Sequence, residues 1–264
     1  MKETNANGIF AQVRLWSNFH RRFFLLMVAL ENLFHGGNLM ENTLRKSNRM
    51  DTKKMVVLAM MTAIAYVAVF IFRIPVVLFL KYEPKDVIIT IGGFMFGPLA
   101  SMLMSAVVSL VEMVTISSTG PIGALMNFLS TVSFSCTAAI VYKKVHTIKG
   151  AVIGLVTGSI VMVGVMLAWN YLITPIYMET PREAVAEMLV PVFLPFNLLK
   201  AVLNSAITML LYKPLSTVMR KAHVLPETTS APTEGSHIKR YAFVYVIAAF
   251  LIATCAAVIY FWNK

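Results

Sequence analysis

Phe193–Lys213, FLPFNLLKAVLNSAITMLLYK, is the stretch whose reading decides the fold. It is long and apolar enough for a membrane helix, for which about 20 residues suffice, yet Asn197, Lys200 and Asn204 interrupt it. Spacings of three and four residues put these side chains on one helical face. A lone ammonium near mid-bilayer costs roughly 2.5–3.5 kcal/mol, so such a residue normally faces a polar cavity and not lipid. Snorkelling to the headgroups is the alternative for Lys200, but it lies about 10 Å in from Phe193 along the helix axis. The function is expected in that cavity.

Composition agrees with a membrane helix here. The 264 residues are 58% hydrophobic and 13% charged, with a mean hydropathy of +0.74. These values lie outside the soluble globular range and indicate a polytopic, all-α membrane protein in contact with lipid. A net charge of +11 could suggest nucleic acid. The Lys and Arg residues, however, gather between apolar runs and in the amino-terminal arm, so membrane topology accounts for them and no nucleic-acid partner is expected. Cys136 and Cys255 fall inside apolar runs and indicate no disulfide.

Working outward, residues 1–50 form a mixed-charge arm whose apolar patch, Phe23–Leu30, is too short to span, and Met50 is a candidate natural start. Residues 51–220 carry six predicted spans. They are Met55–Phe72, a short Val87–Phe96, Leu99–Ile116, Ile122–Tyr142, Ala151–Ile173 and the opening stretch. Between the first two, Pro75–Lys85 is broken by Pro84 and reads as a loop at the interface or folded back over the protein. Gly97-Pro98 makes a tight link, and Pro175–Pro191 a connector. A polar linker at 221–240 precedes a seventh, appended span, Tyr241–Trp262.

Basic residues in the arm, at Lys143, Lys144 and Lys149, and after the sixth span place the amino terminus in the cytoplasm of a multi-pass cell-membrane protein. The loops at 73–86, 116–121 and 175–191 are then external. Lys200, Asn197, Asn127 and Asn170 come out at comparable depth in the outer half. Each asparagine taken singly is more often a helix–helix hydrogen-bonding residue than a ligand contact, but their convergence favours a pocket. Leu78, Phe79, Tyr82, Phe128 and Trp169 at matching depths suit a flat heteroaromatic ligand, although interfacial aromatic belts arise without one. Glu112, late in the third span, is the expected acidic partner of Lys200. Ala59 and Ala63 form a small-xxx-small pair that lets another helix approach, within this bundle or from a partner. The sequence holds no phosphate-binding GxxxxGK[ST] motif, and its histidines lie outside the spans, so enzyme chemistry, cofactors and metals are not expected.

LKYEPKDVIITIGGFMFGPLASML (80–103), STGPIGALMNF (118–128), YKKVHTIKGAVIGLVTGS (142–159), NYLITPIY (170–177) and PFNLLKAVLNSAITMLLYKPLS (195–216) carry a resemblance. Together they resemble the substrate-binding S components of energy-coupling-factor (ECF) vitamin transporters, in particular the riboflavin-binding members. The resemblance implies a six-helix S-component bundle that captures riboflavin from outside. It also implies a partner T component and two cytoplasmic ATPases. By the same resemblance Ala59 and Ala63 dock the T component, the segment Leu78–Asp86 covers the pocket, and Asn170 and Lys200 contact the flavin. Another planar vitamin or flavin, or a non-transport membrane scaffold, remains an alternative from the residues themselves.

Overall fold

A computed structural model of the protein describes residues 52–78, 80–117 and 120–221, together with Ile252, Ala253 and Cys255. The amino-terminal arm, the polar linker and most of the expected seventh span lie outside the described residues.

Among the described residues the chain runs α1 (Thr52–Ile71), β1 (Ile74–Val77), β2 (Leu80–Tyr82), α2 (Lys85–Phe96), α3 (Pro98–Thr115), α4 (Gly120–Lys144), α5 (Ile148–Tyr177), α6 (Arg182–Met188) and α7 (Leu194–Lys221). Five helical segments are long and apolar enough to cross a membrane: α1, α3, α4, α5, and the run Arg182–Tyr212. The second expected span, α2, has 12 residues. It rises only about 18 Å, well short of the roughly 30 Å hydrocarbon core. It is correspondingly enclosed, packing against α1, α3, α4 and α7.

The outward faces are apolar because the bundle's solvent is lipid. Met60, Ile64, Val67 and Phe70 on α1, Leu103, Val107, Leu110 and Val114 on α3, and Val152, Val156 and Ile160 on α5 are all exposed. The inward faces carry an unusual share of buried hydroxyls, including Ser101, Ser105 and Ser109 on α3 and Ser130, Thr131, Ser133 and Ser135 on α4. Small residues also set the approach of α4 to α5. A Cβ on Gly154 would come within 2.7 Å of the Ala138 carbonyl oxygen, and one on Gly158 within 2.6 Å of that of Phe134. Only glycine permits this approach.

Three expectations are corrected. The segment after α1 is not a plain loop. It forms an antiparallel β1–β2 hairpin pairing Ile74 with Tyr82 and Pro75 with Lys81, and Leu78 at its turn has a positive φ of 52°. The connector between α5 and α7 contains α6 and a π-helical turn, Leu189–Phe193. The helix of the opening stretch, α7, runs through Pro214 to Lys221 and does not stop at Lys213. The Gly97-Pro98 link is as expected. Gly97, at φ 96°, closes α2 and opens α3, a conformation that favours glycine, and Pro98 takes the first helical position.

Candidate functional site

The polar face of the opening stretch turns inward. Asn197, Lys200 and Asn204 on α7 are all buried. At the hairpin end of the bundle Lys200 and Asn197, with Phe196, wall one side of a cavity. Gly123, Met126, Asn127 and Ser130 of α4 and Met166 and Asn170 of α5 wall the others. Arg73, Leu80, Lys81 and Glu83 close it from the hairpin. The cavity measures about 30 Å³, room for two or three waters.

The four polar residues picked out by depth thus meet at one cavity, and their hydrogen bonds show how each is held. Asn170 Nδ2 donates to the Met166 carbonyl at 2.7 Å, and its Oδ1 accepts from Thr174 Oγ1 at 2.9 Å. Asn197 Nδ2 donates to the Phe193 carbonyl at 2.7 Å. Asn127 Nδ2 donates to Glu112 Oε2 at 3.3 Å. Each bond leaves capacity on the amide, which offers two donors and two acceptor lone pairs. The aromatic expectations divide differently. Tyr82 and Trp169 are buried outside the cavity lining and Phe128 is half-buried outside it, whereas Phe196, not among them, lines the cavity. Leu78 is 58% exposed at the hairpin turn, and Phe79 lies outside the described residues.

The expected Lys200–Glu112 pair does not form. Glu112 belongs to Lys85, whose Nζ lies 2.6 Å and 2.5 Å from its two carboxylate oxygens. Lys200 Nζ instead meets Asp86 Oδ2 at 3.0 Å and donates to Ser130 Oγ at 3.1 Å. Lys85 also meets Glu83 Oε2 at 2.7 Å, and Glu83 Oε1 lies 2.9 Å from Arg73 Nε. Arg73 in turn donates to the Ile116 carbonyl at 2.7 Å. The ladder therefore alternates in sign: Arg73, Glu83, Lys85, Glu112. It ties both ends of the hairpin to α2 and α3. Burial disfavours ionisation of Glu83, but the charges of Lys85, Lys200 and Arg73 outweigh it and hold its carboxyl below the ordinary value.

Sequence reasoning treated Glu83, Lys85 and Asp86 as loop charges and missed their place in this network. A signal was present: the apolar run after them is too short to span, so its charged first turn must begin at depth within the bundle.

Amide and ammonium donors turned into a cavity of a membrane-spanning bundle define the class, a multi-pass, membrane-embedded binding protein. The chain belongs to the substrate-specific components of ECF transporters, whose family model matches residues 53–212. It is thus a transport component and not an enzyme. Over 188 residues it is 31% identical to the riboflavin transporter RibU of Staphylococcus aureus, covering 68% of this chain and 99% of that protein. It is 30% identical over 189 residues to the riboflavin transporter FmnP of Bacillus subtilis, covering 66% of this chain and 100% of the other. A solved S component of a bacterial ECF transporter superimposes with a TM-score of 0.56 at 31% identity, over 64% of this chain and 98% of that one.

Proposed function

We propose that this chain captures riboflavin in the cavity beneath the β1–β2 hairpin. It would deliver the vitamin inward together with a T component and two cytoplasmic ATPases. The observation that carries the reading is the convergence of Lys200, Asn127, Asn170 and Asn197 on one cavity, in a chain whose relatives are riboflavin transporters. Amides and an ammonium match a ring system rich in carbonyl and nitrogen acceptors and carrying an imide N–H. Positive-inside charge supports an orientation with the hairpin end of the bundle outside and the amino terminus in the cytoplasm. A cavity of about 30 Å³ is far below the roughly 300–1,000 Å³ of small-molecule pockets, so admission of three fused rings requires the hairpin to part from α4 and α7.

Purification in detergent tests the ligand: the protein is expected to carry flavin absorbance, or to acquire it from added riboflavin. A colourless protein that takes up none would rule the ligand out.

Ala59 and Ala63 are both exposed on α1, whereas Ala65 on the same helix packs inside. The exposed pair supports a docking face for the T component, since small residues let two helix backbones approach closely. Ala59→Leu with Ala63→Leu is expected to abolish co-purification with a T component and to leave riboflavin binding unchanged. Association that survives the double change would place docking elsewhere.

A further inference from the structure

Asp86 stands behind Lys200 and outside the cavity lining. Its carboxylate is held from several directions at once. Lys200 Nζ lies 3.0 Å from Oδ2, Asn204 Nδ2 donates to Oδ2 at 3.1 Å, and Thr131 Oγ1 donates to Oδ1 at 2.6 Å. It also sits in the first turn of α2, where unsatisfied backbone N–H groups favour a negative charge. Asp86 is 1% exposed and Lys200 4%, so bulk water offers neither of them an alternative partner.

We propose that Asp86 is a positioning residue for ligand capture. It holds the Lys200 ammonium against the wall and balances its charge, so that the cavity presents an oriented donor to a neutral, carbonyl-bearing ring. This rests on the reading of Lys200 as a ligand contact. The other charges around Lys200 are already matched: Glu83 with Arg73 and Lys85, and Lys85 with Glu112. Lys81, on β2, also lines the cavity. The cavity walls from α4 and α5 bring only the neutral polar groups of Asn127, Ser130 and Asn170. Asp86 is therefore the counter-charge through which Lys200 is aimed, and a charge-assisted bond of this kind is both stronger and more directional than a neutral one.

Riboflavin titration of the purified full chain in detergent tests the proposal with Asp86→Asn, Lys200→Ala and the double variant. Asp86→Asn is expected to weaken binding about 10- to 100-fold, as loss of a charge-assisted contact does. In the Lys200→Ala background the same change should alter affinity by no more than about 2-fold, the signature of two residues acting as one unit. Asp86→Glu should recover part of the loss. The absorbance of bound flavin should shift in Asp86→Asn as it does in Lys200→Ala. Equal losses in both backgrounds, or an unshifted spectrum, would overturn the proposal and leave Asp86 merely structural. If Asp86→Asn does not fold, Thr131→Val removes one donor to Asp86 without touching the ligand. It should weaken binding several-fold only where Lys200 is present, and an equal loss without Lys200 again overturns the idea. Should the unaltered protein bind riboflavin and Lys200→Ala bind it equally well, the role of Asp86 fails while the riboflavin reading stands. If the unaltered protein binds none, both fail.

Discussion

Lys200→Ala is expected to lower riboflavin affinity by about 10- to 100-fold, read by titration of the purified protein. Two losses combine. A hydrogen bond from a charged donor is worth about 1.5–3 kcal/mol, and its removal withdraws the ammonium facing the cavity. The change also leaves Asp86, 1% exposed, as a buried carboxylate without its cation. Truncating one partner of a buried pair costs about 3–5 kcal/mol, so thermal stability in detergent should fall as well. Lys200→Arg separates the two effects: it keeps a charge beside Asp86, restoring stability more fully than affinity, because the wider guanidinium cannot occupy the same point. An Ala variant that stays within about 3-fold of the unaltered affinity would confine Lys200 to an internal ion pair.

The second large effect concerns folding. Lys85→Met should destabilise the bundle by about 3–5 kcal/mol, seen as a lower thermal midpoint and a lower yield of monodisperse protein. Lys85 is fully buried and shared by two carboxylates, Glu112 at 2.5 Å and Glu83 at 2.7 Å. Without its ammonium, Glu83 keeps Arg73, whereas Glu112 keeps, among the described residues, the Asn127 amide at 3.3 Å. Adding Glu112→Gln should recover much of the loss, since a buried charge with no partner costs far more than a neutral amide. A midpoint unchanged by Lys85→Met would mean that the ladder from Arg73 to Glu112 does not hold the hairpin down.

The expected pieces and the missed ones differ in the range of the interaction involved. Spans such as Leu99–Ile116 and Ile122–Tyr142 were legible to within a few residues, because hydropathy over a 20-residue window is a local property and lipid demands it of every crossing segment. Asn127, Asn170, Asn197 and Lys200 were legible as one group because depth along each helix follows from residue count. Their ion pairs were not legible. Glu112 and Asp86 lie at similar depth as candidates for Lys200, and the choice between them depends on how α2 and α3 are rotated about their axes. The hairpin was hidden for a related reason: Ile74–Val77 and Leu80–Tyr82 are too short for a period to show, and their pairing is read only once the chain folds back.

By itself the sequence determined that Phe193–Lys213 crosses a membrane with a polar face, and that this face must find polar company, since hydrocarbon offers none. Which company it keeps only the tertiary structure decided. The enclosed helix α2 brings Asp86 to Lys200 and Lys85 to Glu112, and with these pairs it determines which cation is enclosed between carboxylates and which lines the cavity. Burial raises the cost of every unmatched charge. The pairing is consequently settled by the packing of four helices at once, and no spacing along one of them contains it.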